Sequence, residues 1–347
     1  MKPTRKALFI LGSPNQTSQM FQIYQELKGD FEGYFTQFFP HSALEKFAVR
    51  IGLLENTIID GRFKKKSEDF VREHNLNYDY GGAAHMGQYD LVFMCTDAIY
   101  PEVARRSKSI FIQEGMVDPL DTWSKWVKKM GLPAYFTGTT SLNGSMNGPD
   151  VYCVASEGYK ERFASLGTDP GKIAVTGIPN FDNCNAFLNN SFPYKDYVLV
   201  CTTDMRETFR RENRPEFIRQ CVKIAAGRPM IFKLHPNEIW DRAYREITSM
   251  CPENTLVFQS GDTNHMIANC AELITQYSTV VYVGLALGKP VHSYFELEEL
   301  KRLQPIQTGG KSAAQIADLA RHFADFNGSG PEFLQQYRPQ LLSEETL

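Results

Sequence analysis

Lys233 and His235 stand two residues apart in the run Lys233-Leu234-His235-Pro236-Asn237-Glu238. Alternation along a strand puts the two cations on one face. Pro236 suits the first position of a following helix. Further on, Ser278 and Thr279 close the run Leu273-Ile274-Thr275-Gln276-Tyr277-Ser278-Thr279. Hydroxyls and unpaired N–H groups at a helix N-terminus suit phosphate oxygens, and the same atoms equally make a plain cap. Thr203 and Arg206 follow another apolar run, and a guanidinium there can clamp phosphate through two N–H groups. Arg211 and its arginine neighbours are expected on a solvated helix face. This half therefore reads as a grip on the mono- or diphosphate of an activated donor.

The first half offers proton chemistry. Ser109-Ile110-Phe111-Ile112-Gln113-Glu114-Gly115 is an apolar strand ending in an acid and a glycine. A partly desolvated carboxylate at a strand end gains a raised pKa, as a general base requires. Gly115 lets a substrate or backbone come close. The competing reading makes Glu114 the cap of a turn. Asp97, after Leu91-Val92-Phe93-Met94-Cys95-Thr96, either orients a substrate hydroxyl or caps a helix near 101–107. Gly12 and Ser13 form the first strand-to-helix loop and are placed on the acceptor side.

Such residues need strand ends to hold them. Short apolar runs predict strands at 7–12, 34–39, 90–96, 109–113, 150–155 and 173–177, then at 197–202, 230–234, 255–259, 272–275 and 290–294. Helical patterns fall between them at 17–28, 157–166, 215–226, 238–250 and 279–287. Alternation of this kind predicts an α/β fold with parallel sheets covered on both faces. The Asn-rich stretch 183–196 reads as a linker. It divides an N-terminal Rossmann-like acceptor domain, 1–182, from a C-terminal nucleotide-donor domain, 197–327. A last helix at 313–326 ends the second domain or crosses back, and 328–347 reads as a loosely packed tail.

Composition narrows the field. A net charge of −3 argues against nucleic acid as a partner. No stretch of about 18 apolar residues suggests a membrane span, and 7–11 is too short for a signal-peptide core. Seven scattered cysteines without C-x-x-C fit a reducing cytoplasm better than a disulfide framework. Neither G-x-G-x-x-G, H-E-x-x-H nor G-x-S-x-G occurs, so no dinucleotide cofactor, catalytic metal or serine nucleophile is expected. Lys64-Lys65-Lys66 reads as a solvated face, with peripheral contact at an inner membrane left open.

These motifs together resemble the GT-B glycosyltransferase superfamily, whose fold is two Rossmann-like domains facing across a cleft. Val175-Thr176-Gly177-Ile178-Pro179-Asn180-Phe181-Asp182 resembles the end of its first domain. Lys233-Leu234-His235-Pro236 and Thr275-Gln276-Tyr277-Ser278-Thr279 resemble teichoic-acid glycerophosphotransferases and bacterial capsule and Kdo-type transferases. Gln113-Glu114-Gly115 with His235-Pro236 is similar to the paired motifs of bacterial sialyltransferases. The resemblance implies Glu114 as catalytic base, with His235, Ser278 and Thr279 on the donor phosphate. It implies transfer of a sugar from a CMP-, UDP- or CDP-linked donor to a hydroxyl of a surface glycan or lipid-linked acceptor. A second resemblance is to UDP-N-acetylglucosamine 2-epimerases, carried by Cys201-Thr202-Thr203-Asp204-Met205-Arg206-Glu207 and the spacing of Asp97 and Glu114. Their histidine is replaced here by Asp204 and Met205. A third reading is a non-catalytic nucleotide-sugar binding protein.

Overall fold

A computed structural model describes residues 5–40, 43–52, 59, 61–207 and 211–338. The chain forms two compact units. One takes residues up to 182 together with those from 310 onward, and the other takes 183–309.

The first unit is built on a seven-stranded sheet in the order β3-β2-β1-β4-β5-β6-β7, with every pairing parallel. Its strands are β1 (Arg5–Leu11), β2 (Phe31–Gln37), β3 (Asn77–Tyr78), β4 (Leu91–Met94), β5 (Lys108–Ile112), β6 (Val151–Val154) and β7 (Ile173–Val175). Side-chain alternation divides β1 between two cores. Ala7, Phe9 and Leu11 face helix Pro14–Leu27 and helix Ser312–Asp325 through Met20, Ile23, Ile316, Leu319 and Phe323. Leu8 and Ile10 face Val92, Met94, Ile99 and Val103 on the other side. Burying each large side chain contributes roughly 1.5–3 kcal/mol. Both sheet faces are therefore covered, as parallel sheets require.

Of the two alternatives for the helix after residue 310, it does not end the second domain but crosses back to the first unit, because its apolar stripe completes the core behind β1. Its entry is held by Asp182, whose Oδ2 accepts from the backbone N of Ser312 at 2.8 Å, at the point where the chain leaves this unit. Nor is the following segment loose up to 338. Helix Gly330–Gln336 is capped by Ser329 and Glu332 and buries Phe333 in the same core. Residues 339–347 lie outside the described residues.

The second unit has a five-stranded parallel sheet, β10-β9-β8-β11-β12. These are β8 (Val198–Cys201), β9 (Met230–Lys233), β10 (Leu256–Phe258), β11 (Glu272–Thr275) and β12 (Val291–His292). Val198, Val200 and Phe232 pack on Phe217, Ile218 and Cys221 of helix Arg214–Ala225 and on Ala243 and Ile247 of helix Trp240–Met250. A Cβ at Gly284 would press within 2.7 Å of Leu273 and 2.9 Å of Val291, so helix Val280–Ala286 sits against the sheet only because that residue is glycine. The stretch 183–196 is not a bare linker. Asn269 Nδ2 donates to Asn190 Oδ1, Phe192 O and Tyr194 O, which ties it to this unit. Of its asparagines, Asn190 answers a half-buried amide, a use that the sequence pattern does not distinguish from loop chemistry. Among the described residues, no helix is long and apolar enough to cross a membrane.

Candidate functional site

In each unit β1-type and β4-type neighbours mark a topological switch point, where crossovers diverge to opposite sides of the first strand. The two edges are built differently.

In the first unit, Ser13 caps helix Pro14–Leu27 in a capping box. Its Oγ accepts from Gln16 N at 3.2 Å, and Gln16 Oε1 accepts from Ser13 N at 3.3 Å. The remaining hydrogen-bonding groups of both side chains turn to one carboxylate. Ser13 Oγ donates to Glu114 Oε1 at 2.5 Å, and Gln16 Nε2 donates to Glu114 Oε2 at 2.6 Å. Gly12 serves this arrangement, since a Cβ there would collide with Gln16 Oε1. The carboxylate keeps a partial solvent face, yet its surroundings are enclosed enough that desolvation raises its pKa. Ser13 and Gln16 pull that value back down. Gln113 fixes the strand end by donating to Gly115 O at 2.8 Å and accepting from Ala155 N at 2.9 Å. Thus Gly12, Ser13, Glu114 and Gly115 converge. Gln16 was missed, although Ser13-Pro14-Asn15-Gln16 has the capping-box spacing that could have found it.

Asp97 stands apart from that group. Its Oδ1 accepts from Gly144 N at 2.7 Å, and its Oδ2 accepts from Met146 N at 2.8 Å and Tyr152 Oη at 2.9 Å. Burial raises its pKa, and these donors oppose the shift. It is 3% exposed and holds the loop 143–146, so it neither faces a substrate nor caps the short helix Glu102–Arg105.

In the second unit, a ring of buried polar side chains closes over the strand ends. Thr203 Oγ1 donates to Gln276 Oε1 at 2.9 Å, and Gln276 Nε2 donates to Glu212 Oε1 at 2.9 Å. Arg214 Nε donates to Glu212 Oε2 at 3.0 Å, and Arg214 Nη2 donates to Glu238 Oε1. Thr202 then donates to Glu238 Oε2, which also accepts from His235 N at 3.0 Å. Arg214 and Glu238 side chains are 2% and 0% exposed. Their opposite charges offset part of a desolvation cost that either alone would bear in full.

This ring fixes the backbone under His235. Asn237 N donates to His235 Nδ1 at 3.3 Å, and Asp204 Oδ2 lies 3.5 Å from the same nitrogen. Asn237 Nδ2 donates to Asp204 Oδ2 at 2.5 Å. With Nδ1 accepting, the neutral ring carries its hydrogen on Nε2, and the protonated ring carries one there as well. The imidazole is 38% exposed. A ring that accepts from Asn237 N at Nδ1 presents Nε2–H at a strand end.

Other expected phosphate ligands are engaged elsewhere. Lys233 Nζ donates to Leu234 O at 3.2 Å and Gln259 O at 3.0 Å, and burial lowers its pKa. It ties β9 to the loop after β10 instead of sharing a face with His235. Arg206 makes a two-pronged pair with Glu246, both bonds at 2.8 Å, which raises its pKa. Pro236 lies in a turn closed by Glu238 N donating to His235 O at 3.0 Å, and the helix begins only at Trp240. Ser278 and Thr279 do precede helix Val280–Ala286, where the Thr279 side chain makes no capping bond. The sequence reading missed Glu212, Arg214, Glu238 and Gln276. The i, i+3 spacing of His235 and Glu238 was the available signal. Among the described residues, no group of three or more His, Cys, Asp or Glu could hold a metal ion.

No protein-family model matches the chain, and no curated protein matches it. Solved structures do. UDP-GlcNAc 2-epimerase from Neisseria meningitidis, bound to UDP-GlcNAc, is similar at a TM-score of 0.52 and 14% identity, over 95% of this chain and 93% of that one. The wall teichoic acid polymerase TagF is similar at 0.52 and 13%, over 93% and 90%. HepE from Anabaena, in complex with UDP and glucose, is similar at 0.51 and 12%, over 96% and 95%. These likenesses establish the fold: two parallel-sheet α/β units as in GT-B proteins.

Proposed function

We propose that this protein is a glycosyltransferase that uses a nucleotide-activated sugar. The observation that carries the reading is the His235 imidazole, partly in solvent on a loop locked by buried Glu238, with its Nδ1 held by Asn237 N. A preorganised donor at a strand end suits a phosphate oxygen on which charge grows as a glycosidic bond breaks. Several neighbours of this fold carry nucleotides or nucleotide sugars in their structures, which supports a donor of that class.

The first unit supplies the proton acceptor. An acceptor hydroxyl attacks the anomeric carbon, the bond from that carbon to the donor phosphate breaks, and the hydroxyl proton passes to Glu114. The nucleotide leaves with the bonding electron pair. Ser278 and Thr279 are assigned to the same phosphate. An epimerase would need a second acid beside Glu114 in this unit. Asp97 does not fill that role, since it is 3% exposed, whereas Glu114 is half-buried, and it holds the loop through Gly144, Met146 and Tyr152.

The test is a melting-temperature panel with CMP, CDP, UDP, GDP and ADP, followed by turnover with the donor class so identified. Ligand at about 100-fold over Kd adds roughly 2.7 kcal/mol, a shift of about 2–4 °C for a chain this size. His235→Ala should reduce the shift. Glu114→Gln should retain it and lose transfer. Absence of a shift with all five nucleotides, or full transfer by Glu114→Gln, would overturn the reading.

A further inference from the structure

Helix Thr122–Lys129 of the first unit carries apolar side chains on two faces. Its inner face buries Ser124 and Val127, the latter packed with Ala134 and Leu142. Its outer face carries Trp123 and Trp126, followed in the same stripe by Met130, and these are 49%, 48% and 57% exposed. The two indoles stack at 5.5 Å between centroids. Trp123 Nε1 donates to Phe136 O at 3.0 Å, and Phe136 stacks on Tyr135 at 5.1 Å. Tyr135 and Phe136 are exposed as well. One connected patch of large apolar side chains therefore faces water, where amphipathic helices of soluble domains carry polar residues.

The helix bearing it is basic on its exposed side. Between Asp121 and Asp150 the sequence holds no carboxylate, and Lys125 and Lys129 are exposed, in a chain whose net charge is −3. Asp121 is engaged as the helix cap, accepting from Ser124 N at 2.7 Å. Lys125 and Lys129 are exposed and lie at i, i+4 beside the indoles. Lysine is depleted from the cores of protein–protein interfaces. Two copies pairing through this patch by a twofold axis would set the same lysines against each other. Indole and phenol rings flanked by lysines instead match the interface of an anionic bilayer, with rings at the headgroup boundary and ammonium groups on lipid phosphates.

We propose that this patch docks the protein on an anionic lipid bilayer, lying on the surface. The proposal stands apart from the donor and acceptor reading, since it rests on neither Glu114 nor His235. The test is co-sedimentation of the full chain with vesicles of phosphatidylcholine alone and of phosphatidylcholine with phosphatidylglycerol. Binding is expected to the second kind only, and to weaken with salt. Trp126→Ala should weaken it roughly tenfold, and Lys125→Ala or Lys129→Ala roughly fivefold each. Trp126 is solvent-facing, and far-UV circular dichroism with a cooperative thermal unfolding transition checks that each variant is folded; if Trp126→Ala fails that check, the two lysine variants carry the test. Absence of binding to anionic vesicles would overturn the proposal, as would binding that these substitutions leave unchanged. A concentration-dependent dimer that Trp126→Ala abolishes, with no vesicle binding, would assign the patch to a second copy and overturn it equally.

Discussion

The Ser13 hydroxyl donates to the Glu114 carboxylate at 2.5 Å across a sequence separation of 101 residues, while its lone pair caps the helix that follows it. One side chain therefore ends β1, starts a helix and tunes a carboxylate at the end of β5.

Removing that hydroxyl has a signed consequence. Burial raises the Glu114 pKa, and the Ser13 and Gln16 hydrogen bonds lower it in part. Ser13→Ala should push it further up, so the acidic limb of the transfer rate should move to higher pH. The lost cap should cost about 1 kcal/mol as well. Rate–pH profiles of the two proteins check the first, and urea unfolding the second. An unmoved acidic limb would detach Glu114 from the rate.

Glu114→Gln separates stability from turnover. A carboxyl whose folded pKa lies above its unfolded value binds more protons in the native state. Stability is then lost as pH rises from the unfolded value through the folded one. Glutamine does not titrate, so the variant's stability relative to the parent should rise between the ordinary glutamate range and neutral pH, added to a pH-independent loss where its amide nitrogen replaces an oxygen that accepts from Ser13 or Gln16. Denaturation at several pH values gives the sign.

Asp97→Asn should damage the fold instead of the chemistry. The carboxylate accepts from two backbone N–H groups and a tyrosine hydroxyl, and an amide nitrogen accepts from none of them. A loss of roughly 1–3 kcal/mol is expected, with no change in the shape of the rate–pH profile of the folded fraction.

Two arginines nearby in sequence should behave oppositely to the sequence expectation. Arg214→Ala strands Glu238 and Glu212 in the interior and should cost roughly 3–5 kcal/mol. Arg206→Ala removes the pair with Glu246 and a 3.2 Å contact to buried Glu212, which keeps Arg214 and Gln276, so it should cost roughly 1–3 kcal/mol and should leave nucleotide-induced melting shifts intact. A lost nucleotide shift in Arg206→Ala would restore it as a phosphate ligand.

Strands were legible because the sheet is buried on both faces, so β1, β4, β5 and β8 read as unbroken apolar runs. The edge strand β3 was not, since Asn77 and Tyr78 are exposed and leave no such run. The strand-end positions of Glu114 and His235 followed from the same pattern. What each polar side chain does there did not follow. Lys233 and His235 look equivalent in sequence, yet one ammonium is consumed by two carbonyls set by the fold of β10. Arg206 and Arg214 share Glu212 and differ in their second carboxylate, Glu246 against Glu238. Such partnerships are made by tertiary placement, and local spacing carries no trace of them.

The return of the chain at Ser312, tied to Asp182, imposes an order on synthesis. Helix Ser312–Asp325 supplies Ile316, Leu319 and Phe323 to the face of β1, a strand made long before it. During translation that face stays uncovered until residues 312–325 have left the ribosome. The inserted unit, 183–309, is contiguous and has all of its strands in hand sooner. Domains generally fold as units when their sequence is available, so the later-encoded unit should reach its native state first. Nascent chains stalled so that residue 309 has just cleared the ribosome should resist protease across 183–309 while residues before 182 are still cut.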